Sequence, residues 1–182
     1  VRLLRKARAE GLDVTGETCP HYLLLTDEEL QDDGRFRMNP PIRSRDDQAA
    51  LRAGLIDGTL DCLTTDHAPH SEAEKACGLA GSLNGVVGLE TAFAMLYTEL
   101  VLPGLVELET IIERLTVGPR RRFAVAQDPL DLSVWQLHEP RPVDPADFLS
   151  RGRSSPFAGE PVRISCRATL RNGRIVWAEG EA

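Results

Sequence analysis

The sequence predicts an α/β fold over its first two-thirds and an antiparallel β tail after it. Three observations carry this. Helical and strand-like patterns alternate from residue 1 to about residue 115. The run LDCLTT (60–65) is short and largely apolar, as in a strand covered on both faces of a parallel sheet. Three strand-like runs follow residue 131, and the last two flank Asn172-Gly173, the strongest short hairpin signal.

In chain order, 1–10 reads as the end of a helix, closed by Gly11 where a left-handed residue is cheapest. Residues 12–18 alternate like a strand, and Cys19-Pro20-His21-Tyr22 turns away from it. Thr26 with Glu29 three residues on forms a capping box for a short helix. Two prolines keep 36–41 irregular, and Ser44 caps a helix that ends before Gly58. The strand at 60–65 ends at Asp66. A stretch rich in Ala, Gly and Ser (67–87) then leads to a helix over 89–101. Pro103-Gly104 breaks it, and 105–115 restarts one. DLSVWQL, VRISCRATL and GRIVWAE are the tail strands. We divide the chain at 126/127, with α/β before and β after.

The chain has 182 residues, long enough to bury a core, with 42% hydrophobic and 27% charged residues, as in ordinary globular proteins. The formal net charge of −7, with no basic tract longer than Arg120-Arg121-Arg122, argues against nucleic acid and for a small-molecule partner. No apolar run approaches the ~20 residues that span a bilayer. The four cysteines are scattered without a CxxC pair, which fits thiols in a reducing cytoplasm better than a disulfide or zinc-ribbon framework. Of 21 basic residues only Lys6 and Lys75 are lysines. The chain opens with Val1 inside a helical pattern, so it is expected to be part of a longer protein.

Three segments carry chemistry. In TTDHAPH a strand runs straight into Asp66, His67 and His70; catalytic groups of α/β barrels sit where strands end, and an aspartate there can hold a cation and exchange a proton. The bland reading is a turn or helix cap. In RMNPPIRS, Asn39 offers both a donor and an acceptor, which suits a cyclic amide, although an Asn before two prolines is commonly a plain turn. Arg43 could meet a carboxylate but fits a surface arginine as well. In GETCPHY, His21 lies just past a strand end and is as consistent with packing as with ligation. Glu17 either is buried or faces water.

Taken in order, ETCPHYLLLTDEE, MNPPIRSRDDQAAL, DGTLDCLTTDHAPHSEAEK, NGVVGLETA, SSPFAG and TLRNGRIV resemble the dihydroorotases of the amidohydrolase superfamily. The resemblance implies the C-terminal part of a (β/α)8 TIM-like metal-dependent hydrolase barrel, with the tail contributing strands to a small flanking β-sandwich. It implies reversible hydrolysis of the cyclic amide of dihydroorotate to N-carbamoyl-L-aspartate, with one or two zinc ions. Asp66 matches the family's zinc ligand and general acid/base. Asn39 and His70 match substrate contacts, and Asn84 and Gly85 fall where the family offers backbone groups to the substrate. An aromatic residue is usual at the position of Asn84. His21 matches no metal ligand, and GPRRRFAV departs from the family's Asn-Pro-Ala turn. The alternatives are an allantoinase or hydantoinase, and a non-catalytic scaffold subunit for aspartate transcarbamoylase, which would be free to lose Asp66 and His70.

The family's remaining ligands, an HxH pair, a bridging lysine or aspartate and two further histidines, have no counterpart here. The four histidines include no HxH, and neither lysine stands at a strand end. A complete barrel takes about 250 residues. The chain by itself is therefore expected to hold no zinc tightly and to be inactive. The expected partners are the small-molecule substrate, with a second copy or aspartate transcarbamoylase as protein partners, in the cytoplasm.

Overall fold

The structure, a computed structural model, describes residues 1–126 and 128–180. It contains a two-stranded parallel sheet in the front part and a three-stranded antiparallel sheet in the tail. Gln127, at the start of the second unit, and residues 181–182, at its end, lie outside the described residues.

The front part is α/β. Helix α1 (Arg2–Ala9) ends ahead of Gly11, which has φ +79° as its position requires. Strand β1 (Glu17–Thr18) pairs in parallel with β2 (Cys62–Leu63), Glu17 opposite Cys62 and Thr18 opposite Leu63. The strand expected over 12–18 is shorter than its alternation suggests. Among the described residues only β2 pairs with it, so the ladder holds only where both chains are extended. Where a turn was expected, Pro20 opens helix α2 (Pro20–Leu24); proline's fixed φ suits a first helical turn, and its missing N–H costs nothing there. The Thr26–Glu29 capping box is present. Helix α3 (Arg45–Ile56) is capped by Ser44, whose hydroxyl accepts from the Asp47 amide.

The stretch 67–87 holds two short helices, α4 (Glu72–Lys75) and α5 (Gly78–Gly81), where only a loop was expected. Ser71 and Glu74 form a second capping box at α4. Helix α6 (Ala92–Leu96) begins three residues later than predicted and widens into a π turn, Tyr97–Val101. Helix α7 (Leu108–Ile112) likewise runs through a π segment, Glu113–Val117, into α8 (Gly118–Arg122). The widening falls just before Gly118-Pro119, where a proline would break a regular α turn.

Leucines of the front part meet in one core, Leu23, Leu55, Leu63, Leu96 and Leu100, together with Ile111. The tail is an antiparallel sheet in the order β3 (Leu132–Pro142), β4 (Pro161–Arg171), β5 (Arg174–Ala178). Asn172 (φ +51°) and Gly173 (φ +72°) make its two-residue hairpin turn, as the sequence predicts. The tail leans on the front through Trp135, whose ring centroid lies 4.6 Å from that of Phe93, and through a bond from the Arg163 amide to Thr98 Oγ1. No helix of the described residues is long and apolar enough to cross a membrane.

Candidate active site around Asp66

Because β1 and β2 are parallel and in register, the residues that leave them emerge at the same end. The Thr64 amide donates to the Thr18 carbonyl at 2.9 Å, carrying the pairing one step past β2. Cys19 and His21 follow β1, and Asp66 follows β2. A donor atom from each lies within 4.8 Å of the other two, and no other His/Cys/Asp/Glu group among the described residues converges this way. The sequence left Cys19 and His21 out of the site, since a spacing pattern within one segment cannot show which segments become neighbours.

Asp66 is exposed and sits at φ +46°, in the left-handed region that aspartate tolerates better than most residues. Strand β2 has ended at Leu63, short of the 60–65 that the sequence suggests, and at Asp66 the chain turns sharply. His21 and Cys19 form the buried floor. Burial pushes the His21 imidazole down to about 4, so it is neutral at ordinary pH, and its buried Nε2 has no hydrogen-bond partner. Burial raises the Cys19 thiol to about 11, with the Asp66 and Glu17 charges adding to the rise and a contact to Thr64 Oγ1 opposing it. Glu17 itself faces water. Thiol, imidazole and carboxylate form a donor set that suits zinc, and the orphaned His21 nitrogen fits the same group.

The loop after Asp66 is held by the side chains that the motif supplies. His67 Nδ1 accepts from the amides of Gly88 and Leu89 at 3.3 and 3.2 Å, so its proton is on Nε2, which faces Ser150 Oγ at 3.3 Å. Ser150 Oγ in turn donates to Glu90 at 2.7 Å. His67 is thus a strut between the loop, the approach to α6 and the segment around residue 150. The signature around SSPFAG packs here too, with the Val87 amide donating to the Ser154 carbonyl and Phe157 buried beside Val87.

His70 donates from Nε2 to the Asn84 carbonyl at 2.9 Å, since a carbonyl can only accept, while its Nδ1 lies 3.6 Å from Glu74. Gly85 (φ +133°) is wedged between Ala68 and His70, and a Cβ there would stand 2.6 Å from the Ala68 carbonyl oxygen. His70, Asn84 and Gly85 therefore form one contiguous edge. Asn39 is exposed between the buried Met38 and Ile42, which pack with Val86 and Tyr22. The Tyr22 hydroxyl donates to the Pro40 carbonyl at 2.8 Å, tying the Asn39 segment to the residue beside His21. Arg43 pairs loosely with Asp47 at the surface, 3.7 Å away.

No family model matches the chain. It is 43% identical over its whole length to a dihydroorotase of Halalkalibacterium halodurans, covering 44% of that protein. A dihydroorotase of Brevibacillus brevis is 46% identical over 97% of the chain, covering 43% of that protein. Among solved structures, the L-hydantoinase (dihydropyrimidinase) of Arthrobacter aurescens superposes with a TM-score of 0.87 at 31% identity, covering 100% of this chain and 43% of the other. The dihydropyrimidinase of Brevibacillus agri shares the fold, with a TM-score of 0.85 at 24% identity over 97% of this chain and 42% of the other. The chain thus spans less than half the length of these relatives, and it shares its α/β fold with the hydantoinase and dihydropyrimidinase structures.

Proposed function

The chain groups by sequence with the dihydroorotases, and from that premise we propose that it carries the C-terminal, substrate-holding part of a dihydroorotase. The complete enzyme, meaning this chain together with the remaining length its relatives have, would hydrolyse the ring amide of dihydroorotate to N-carbamoyl-L-aspartate and reverse the step. The observation that carries this reading is Asp66, exposed at a strand end beside Cys19 and His21, with His70, Asn84 and Gly85 on the loop it begins.

Asp66 would hold zinc on this chain's side of the site, with Cys19 and His21 within reach. The ion would supply Lewis-acid polarisation of the ring carbonyl and acidify the attacking water. The Asp66 carboxylate takes a proton from that water as the C–O bond forms and returns it to the ring nitrogen as the C–N bond breaks. In ring closure the same proton travels back. Asn39 and the Nδ1 side of His70 hold the substrate ring and carboxylate, the His70 Nε2 proton being given to the Asn84 carbonyl, and the Asn84–Gly85 backbone lines the same edge. The barrel would be completed by strands outside this chain, in a cytoplasmic enzyme.

Relatives named dihydroorotase are more similar in sequence than the hydantoinase structure is, at 43–46% against 31% identity, which favours the carboxylated ring over a plain hydantoin. The scaffold reading is disfavoured because Asp66 and His70 are both present. In the complete enzyme, His70→Ala is expected to raise KM for dihydroorotate by about 10- to 100-fold, the value of a hydrogen bond to a charged group, with kcat falling less. Steady-state kinetics check this, and an unchanged KM would return His70 to shaping the loop.

A further inference from the structure

Lys75 closes α4 with its side chain buried, and among the described residues it forms no ion pair. Its Nζ donates instead to three backbone carbonyls, those of Arg37 at 3.1 Å, Leu83 at 2.8 Å and Gly85 at 2.7 Å. Three bonds need three N–H groups, so the group is an ammonium. The segments it joins are those that carry the candidate substrate residues: Arg37 stands two residues before Asn39, Leu83 precedes Asn84, and the third carbonyl is that of Gly85.

The lysine is placed in advance. Its own carbonyl accepts from Ser82 Oγ at 3.0 Å, and Gly34 lies against it so closely that a Cβ would come within 2.2 Å. Asp32 accepts from the Leu79 amide at 2.8 Å, docking the rest of the loop on the same neighbour. The Gly85 amide is spent on the Arg37 carbonyl at 3.0 Å, and the Asn84 carbonyl on His70. What remains is the Asn84 N–H, which meets no acceptor among the described residues. In a planar trans peptide the C=O and N–H point in opposite directions. Since the Leu83 carbonyl faces the buried ammonium, the Asn84 N–H faces away from it, on the exposed side.

We infer that Lys75 is a positioning residue of the substrate edge: its ammonium locks 37–39 to 83–85 and turns the Asn84 N–H outward as a donor for the bound ring. This rests on the function proposed above. A compact ammonium can meet three converging carbonyls where a planar guanidinium cannot, which gives a reason for a lysine here in a chain that otherwise relies on arginine.

The test compares Lys75→Met and Lys75→Arg with wild type in the complete enzyme, reading steady-state kinetics, metal content and amide hydrogen exchange. KM for dihydroorotate is expected to rise about 10-fold or more in both variants, from carbonyls left without donors. In both, kcat should fall less than KM rises, metal content should hold, and exchange should quicken at Gly85 while α3 stays protected. If Lys75→Met does not fold, Lys75→Arg decides by the same criteria. Unchanged KM and unchanged exchange at Gly85 would overturn the inference. So would a uniform loss of protection with kcat falling as much as KM rises, the mark of a purely structural lysine. If wild type turns over no dihydroorotate, the functional reading fails, and exchange at Gly85 alone then decides the role of Lys75.

Discussion

Asp66→Asn is expected to abolish useful turnover of the complete enzyme in both directions together, by at least the roughly 10²–10⁴-fold that a proton-transfer group contributes. Asparagine suits this test because it tolerates the left-handed backbone that Asp66 occupies at φ +46°, so the fold should survive. Thermal melts would verify that, and metal analysis would separate loss of a ligand from loss of a base. Microscopic reversibility adds a second signature. Hydrolysis needs the carboxylate ionised at the start and ring closure needs it protonated. In wild type the hydrolytic rate should therefore rise with pH where the synthetic rate falls, and the variant should lose both limbs. Near-normal turnover in either direction would remove Asp66 from the chemistry.

Gly85→Ala is expected to be strongly damaging although it removes no side chain from the site. The new methyl would stand 2.6 Å from the Ala68 carbonyl oxygen and 2.7 Å from the Ala68 Cβ, at a backbone φ of +133° that side chains rarely adopt. Strain and overpacking together amount to about 2–6 kcal/mol. Gly104→Ala is the control, because Gly104 has φ +73° but open space around it, so it bears the conformational cost alone. Denaturant melts should show Gly85→Ala losing clearly more stability than Gly104→Ala, with activity lost as the loop moves off His70. Equal losses would mean that the close approach to Ala68 does not matter.

Elements set by local chemistry were legible in the sequence. Ser44 and the Thr26–Glu29 pair start helices through hydrogen bonds within four residues, and Asn172-Gly173 makes its hairpin because both residues accept positive φ. The parts that were not legible depend on distant partners. Residues 12–16 alternate like a strand yet form none, and the π turns at 97–101 and 113–117 have no signature in periodicity. The same holds at the site. Asp66, Asn39, His70, Asn84 and Gly85 could be nominated from their motifs, since each stands in a recognisable run. That Cys19 and His21 meet Asp66 follows from the register of β1 on β2, which no single segment encodes. His67, which the sequence places in the strand-end motif with Asp66 and His70, proves to be a strut to Ser150. For Lys75 a signal was available, as one of only two lysines in an arginine-rich chain, but its meaning emerges only when three carbonyls converge on it.

The central proposal is that this chain supplies one edge of the binding site for a carboxylated six-membered cyclic amide. Its most direct test is kcat/KM of the complete enzyme for dihydroorotate against 5,6-dihydrouracil, the same ring without the carboxylate. A site that spends polar groups on that carboxylate should prefer dihydroorotate by at least about 100-fold, because the smaller ring leaves those groups without a partner. Equal or faster turnover of dihydrouracil would contradict the account and make the protein a dihydropyrimidinase.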